Sequence, residues 1–284
     1  MKDMVEVFEA ERPVLLSMSY RMLGERHAAE DVVQEVWLRF AGAEGVENPQ
    51  AWLRRVATNV AIDTLRSARA RRESYVGPWL PEPLIGASAS AEDGFELAQE
   101  CELALLWAME RLAPVERAAF VLREAFDADY AEIAETLRRS EAACRQMVSR
   151  AHKRLQAEGP RFDVSREEAG AALQRFFLAA MQDHDAALKM LAADAVAVTD
   201  GGAKVRAARR VLYGPQEIAQ VLTAVMEKDR DLQDVRFEMV TANGMPAMAR
   251  FVGGVMETVT TVVPDALGRV QWIYVMRNPE KLGR

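Results

Sequence analysis

Apolar positions recur with a helical period through the first half of the chain and with a strand period in much of the second. Ala29, Val32, Val33, Val36, Trp37 and Phe40 share one helical face, and Glu30, Asp31, Gln34, Glu35 and Leu38 lie opposite. A polar loop from Gly42 to Asn48 follows, and Pro49 suits the first position of the next helix. That helix, about Gln50 to Arg72, is predicted to pack Trp52, Leu53, Val56, Val60 and Leu65. Arg54, Arg55, Asn59, Asp63, Arg66 and Arg69 occupy its other faces. From Tyr75 to Ser90 the chain holds three prolines and several small residues without a helical period, which reads as a linker. Helices are predicted again at roughly 95–111, 114–124, 130–137 and 141–156, with a boundary at Gly159-Pro160. Beyond it, helices near 166–181, 184–191 and 215–226 mix with strand-like runs at 195–199, 211–213, 235–241, 247–251, 255–263 and 270–276. Helices and strands mixed in this way predict an α+β domain.

The stretch from Tyr130 to Leu155 is the most specific. Ile133, Ala134 and Leu137 share a face of a short helix, Arg138, Arg139 and Ser140 make a break, and Ser140 is a good N-cap for a second helix. In that second helix Cys144, Val148, Ala151 and Leu155 form one apolar stripe. Glu141, Arg145, Gln146, Ser149, Arg150, Lys153 and Arg154 lie off that stripe. This is a helix-turn-helix pattern whose second helix suits a major groove. A plain helical hairpin with a solvated basic face has the same pattern.

Net charge is −7, all of it within residues 1–158, while 159–284 balance to zero. Basic residues nevertheless cluster. Arg54 to Arg72 holds six arginines against Asp63 alone, and Arg138 to Arg154 holds six basic residues against Glu141 alone. Phosphate affinity follows such local patches, whereas the overall acidity predicts weak nonspecific DNA binding by the chain alone. No apolar run approaches the roughly 20 residues of a membrane span, and acidic residues stand where a signal peptide needs an apolar core. A cytoplasmic protein without membrane contact is therefore expected. Cys101 and Cys144 offer no disulfide framework, and His27, His152 and His184 are scattered, so neither metal nor cofactor is expected.

Three segments together resemble the extracytoplasmic-function (ECF) sigma factors. AEDVVQEVWLRF at 29–40 resembles the family's core-polymerase-binding helix. NPQAWLRRVATNVAIDTLRSARARRE at 48–73 resembles its promoter-melting and −10-reading segment. The run from Leu112 to Leu155 resembles its −35-reading domain. Residues 166–277 resemble a SnoaL-like domain of cone-shaped fold, which one subgroup of the family carries at its C-terminus. Three marks of that subgroup are present: Trp79-Leu80-Pro81-Glu82-Pro83, then Asp200-Gly201-Gly202-Ala203-Lys204 with Ala203 where the pattern has glycine. The third is Asn278-Pro279-Glu280-Lys281-Leu282, with Glu280 where the pattern has aspartate.

The resemblance implies a multi-domain chain: two all-α sigma domains at 1–73 and 95–157, the second with the helix-turn-helix. A linker at 74–94, an α+β SnoaL-like domain at 166–277 and a tail at 278–284 complete it. It implies core RNA polymerase and promoter DNA as partners and no catalysis. Asp31, Gln34, Glu35 and Leu38 are the expected polymerase contacts. Asn48, Arg54, Arg55, Asn59, Asp63, Arg66 and Arg69 are the −10 set. Ser140, Glu141, Arg145, Gln146, Ser149, Arg150, Lys153 and Arg154 are the −35 set. Residues 79–83, Asp200, Gly201, Gly202, Lys204, Asn278, Pro279, Lys281 and Leu282 are expected to connect the domains in regulation. The rival reading is a SnoaL-like domain that binds a small-molecule ligand, or an isomerase- or cyclase-type enzyme fused to a DNA-binding module, with His184, Asp185 and Tyr213 available for acid–base work.

Overall fold

The computed structural model describes residues 2–86, 95–99, 101–158, 163–229 and 232–283. They divide into one unit of residues 1–73, 87–101 and 105–159, and a second of 74–86, 102–104 and 160–284. Residues 87–94 of the expected linker and the Gly159-Pro160 boundary lie outside the described residues.

In the first unit α1 (Lys2–Leu23), α2 (Arg26–Ala41) and α3 (Pro49–Arg72) pack against one another. The α2 stripe is buried except for Trp37, which is half-buried with its ring 4.9 Å from that of Phe8. Asn48 caps α3, its Oδ1 accepting from Ala51 N at 3.1 Å, and Pro49 takes the first turn, where a missing N–H costs nothing. The buried seam of α3 differs from the expected one. Leu53, Ala57, Ala61, Leu65 and Ala68 are in the core, whereas Val56 and Val60 are only half-buried. A row of small residues at helical spacing lets helix backbones approach closely, so the alanine side forms the contact.

The helix expected over 95–111 is two: α4 (Glu96–Gln99) and α5 (Leu103–Met109). Phe95 and Cys101 are both buried, yet six residues apart in one helix they would point about 120° away from each other. The break brings both inward, and Phe95 meets Tyr20 edge-on at 6.0 Å. Next come α6 (Pro114–Phe126), α7 (Tyr130–Leu137) and α8 (Glu141–Glu158). Asp129 caps α7 through Glu132 N, and Ser140 Oγ caps α8 through Ala143 N at 3.2 Å. Between them Arg138 takes a left-handed turn at φ 52°. Cys144, Met147, Val148, Ala151 and Leu155 turn inward from α8.

In the second unit α9 (Arg166–Gln182) and α10 (His184–Met190) lead into β1 (Leu191–Asp200). Ser165 opens α9 with a reciprocal capping box to Glu168. Then come β2 (Leu212–Tyr213), α11 (Pro215–Asp229), β3 (Val235–Ala242), β4 (Met245–Val252), β5 (Val255–Pro264) and β6 (Val270–Met276). The sheet order is β2-β1-β6-β5-β4-β3, and only β1 and β6 pair in parallel. Leu173, Phe176, Leu191, Ile218, Val262 and Ile273 lie in the core between the helices and the sheet. Because β1 and β6 run the same way, with Asp200 opposite Met276, the loop after β1 and the tail after β6 leave the sheet at one end.

Candidate nucleic-acid interface and linker-docking site

On α2, Asp31, Gln34 and Leu38 are exposed and Glu35 is half-exposed, so all four occupy one accessible face. Leu38 is 61% exposed, a large apolar side chain ringed by charge. On α8, Arg145, Gln146, Ser149, Arg150, Lys153 and Arg154 are exposed. Arg145 is oriented by Glu141 at 3.0 Å and by the Tyr130 ring at 5.1 Å from its centroid. Arg150 and Arg154 are turned back onto Glu116 at 3.2 and 3.3 Å. These are surface pairs that a phosphate can outcompete at small cost.

The −10 set divides. Asn59, Asp63 and Arg66 are exposed along α3. Asn48 is engaged as a cap, and Arg54 pairs with the buried Glu11 at 3.2 Å. Arg55 pairs with Glu135 of α7 at 2.7 Å, across a groove of about 450 Å³ floored by Trp52 and the 44–48 loop. Arg69 donates to Glu110 O at 3.0 Å and to Leu112 O, inside a buried charge cluster that the sequence did not announce. At its centre is Glu110, which pairs with the fully buried Arg117 and with Arg72. Arg117 also donates to Arg21 O at 3.0 Å, and Arg72 to Leu23 O at 2.8 Å. Burial pushes the Glu110 carboxyl up, but Arg117 and Arg72 beside it more than offset this and hold it below the ordinary range. Burial lowers the Arg69 guanidinium.

The second unit contains a polar site built around Asp200, which is 0% exposed. Its Oδ1 accepts from the Tyr75 hydroxyl at 2.6 Å and from Gly202 N at 3.1 Å. Its Oδ2 accepts from Leu80 N at 2.9 Å and from Lys281 Nζ at 2.8 Å. Lys281, 9% exposed, also donates to Leu80 O at 2.5 Å and lies 4.1 Å from the Trp79 ring centroid. One ammonium thus holds a carboxylate, a carbonyl and an aromatic face, two of them from the linker. Asn278 donates to the Tyr75 hydroxyl at 2.8 Å and caps the 3-10 turn Pro279–Lys281 through Glu280 N. Burial, then the bond to Asp200, raises the Tyr75 phenol.

Backbone and packing fix the loop. A Cβ at Gly201 would lie 2.5 Å from Ala207 Cβ, and Gly202 has φ 57° against the Asn278 carboxamide. Ala203 is exposed and has no positive φ, so its backbone needs no glycine. Lys204 pairs with Glu280 at 2.7 Å on the exposed rim. The expected residues Trp79, Leu80, Asp200, Gly201, Gly202, Asn278 and Lys281 are brought together, and Tyr75 joins them. Pro81 and Pro83 are buried nearby in sequence and Glu82 is half-buried. The acid–base candidates are less enclosed. His184 Nδ1 meets Thr223 Oγ1 at 3.1 Å, Asp185 is exposed, and Tyr213 is 66% exposed on the edge strand.

Comparison with known proteins defines the class. The Sigma-70 region 2 family matches residues 7–71 and the Sigma-70 region 4 family matches 102–155. The chain is 35% identical over 229 residues to the ECF RNA polymerase sigma factor SigJ of Mycobacterium tuberculosis, covering 79% of this chain and 73% of that protein. It is 34% identical over 152 residues to the probable ECF RNA polymerase sigma factor SigI of the same organism, about half of each chain. The crystal structure of Mycobacterium tuberculosis SigJ superposes with a TM-score of 0.76 at 28% identity, covering 98% of both chains. The chain belongs to the ECF sigma factors, with two sigma domains and a C-terminal mixed-sheet domain.

Proposed function

We propose that this sigma factor, which directs RNA polymerase to specific promoters, works through three faces of its helical unit and is governed by its C-terminal unit through the 74–86 segment. Binding and strand separation are the whole mechanism, with no covalent step in either unit. The Asp31–Leu38 face docks on a basic surface of core polymerase by charge complementarity around an apolar contact. The exposed side of α3 opens the −10 region, and α8 reads the −35 element, with Arg145 and Gln146 matched to guanine and adenine edges. Asp31→Lys with Glu35→Lys is expected to abolish pull-down of core enzyme while leaving the helical melt near that of the parent protein. An unchanged pull-down would remove the role assigned to that face.

The regulatory reading is carried by one observation: a buried Asp200–Lys281 pair that grips both the N–H and the carbonyl of Leu80. A held linker limits the arrangements open to the modules on either side of it, so small losses at the tail shift that equilibrium. Removing residues from Asn278 onward is expected to raise promoter activity. Removing everything after Gly159 is expected to lower it, because the linker loses its supporting surface. Run-off transcription with purified core polymerase at matched concentrations decides, and equal activity of all three forms would make the C-terminal unit a passenger.

A further inference from the structure

The linker is held at a second point that none of the three sequence marks includes. Leu84 N donates to Asn243 Oδ1 at 3.0 Å, and Asn243 N donates to Leu84 O at 2.9 Å. Beside them Ile85 bridges Ala242 in antiparallel fashion. Asn243 and Gly244 form the two-residue turn between β3 and β4, at φ 50° and 70°. Asparagine is among the few non-glycine residues that take this conformation readily, so the turn has room for a functional side chain. Here the carboxamide is not spent on solvent: Asn243 is 1% exposed.

The intervening sequence shows where the two grips fall. From Leu80 it reads Leu-Pro-Glu-Pro-Leu, and Leu80, Pro81, Pro83 and Leu84 are buried. A buried amide N–H needs an acceptor, but Pro81 and Pro83 have none to satisfy. Three amides remain, at Leu80, Glu82 and Leu84, and the first and last of them mark the two ends of the motif. One goes to Asp200 and the other to Asn243. Four residues of extended proline-rich chain span about 12 Å, so two fixed acceptors set register as well as attachment.

We propose that Asn243 is a positioning residue and, with Asp200, makes the C-terminal unit a two-point reader of an extended Pro-x-Pro peptide, whose ligand in this chain is its own linker. This deepens the regulatory reading above and rests on it. Asp200 grips one end through charge, and Asn243 grips the other through a neutral carboxamide.

Amide exchange followed by NMR on the full chain tests the clamp. Asn243→Gly keeps the turn conformation and removes the acceptor, and is expected to speed Leu84 exchange by about tenfold while Leu80 stays protected. Asn243→Asp retains an acceptor and is expected to keep Leu84 protected. Unchanged protection of Leu84 in the glycine variant, or equal loss in both variants, would overturn the clamp. Run-off transcription with the glycine variant addresses the other claim. A freed Leu84 with unaltered promoter activity would refute control through the linker and leave the clamp standing.

Discussion

Asp200→Ala is expected to be among the most damaging single substitutions in the C-terminal unit. It removes the acceptor for Tyr75 Oη, Leu80 N and Gly202 N, and it strands Lys281 in a site only 9% exposed. Breaking a buried ion pair by deleting one partner costs about 3–5 kcal/mol, because the remaining charge stays desolvated. For a unit of this size that lowers the melting temperature by roughly 10–15 °C. Calorimetry reads it directly, and Asp200→Ala with Lys281→Met is expected to recover part of the loss. A single-variant melt within a degree or two of the parent would show that Asp200 holds nothing together. The exposed Lys204–Glu280 pair should contrast, its removal leaving the melt close to that of the parent.

Glu110→Ala is expected to have the second large effect, in the helical unit. Glu110 is the counter-charge of fully buried Arg117 and also holds Arg72. Its loss leaves two guanidiniums close together at low accessibility, again about 3–5 kcal/mol. Arg69, which donates to Glu110 O, loses the carboxylate that supports its charge. Replacing Glu110 and Arg117 together with apolar residues of similar volume is expected to restore much of the stability. A thermal melt of the double variant no better than that of Glu110→Ala would refute the account of this cluster as a compensated charge set.

The elements that the sequence made legible are those with a long period. The α2 and α8 stripes each extend over more than three turns, so the faces opposite them, with Asp31, Leu38, Arg145 and Lys153, could be placed from spacing. Short-range chemistry was also readable: Pro49 opening α3 and Ser140 capping α8. What stayed hidden depends on partners distant in sequence. Nothing local says that β1 and β6 pair in parallel, yet that register alone brings Asp200 to Asn278. Glu110 and Arg117 look like surface charges until their burial is known. Tyr75 sits in a polar stretch without a period. Asn243-Gly244 between alternating runs is a recognisable hairpin signal, but the turn's partner, Leu84, lies 159 residues away. The single helix expected over 95–111 is two short ones, and no local period marked where the first ends and the second begins.

The parallel pairing of β1 with β6 also sets an order of events during synthesis. Lys281 comes 201 residues after Leu80, and the strand that carries it to the site must first slot between β1 and β5. At translation rates of about 5–20 residues per second, that interval is roughly 10–40 s. Once synthesis has passed α8, both DNA-reading modules are made while Leu80 still has neither the ammonium of Lys281 nor a finished sheet to receive it. Under the regulatory reading proposed above, each new molecule passes through a period in which its linker is not yet held, and that period ends when its own last strand is in place.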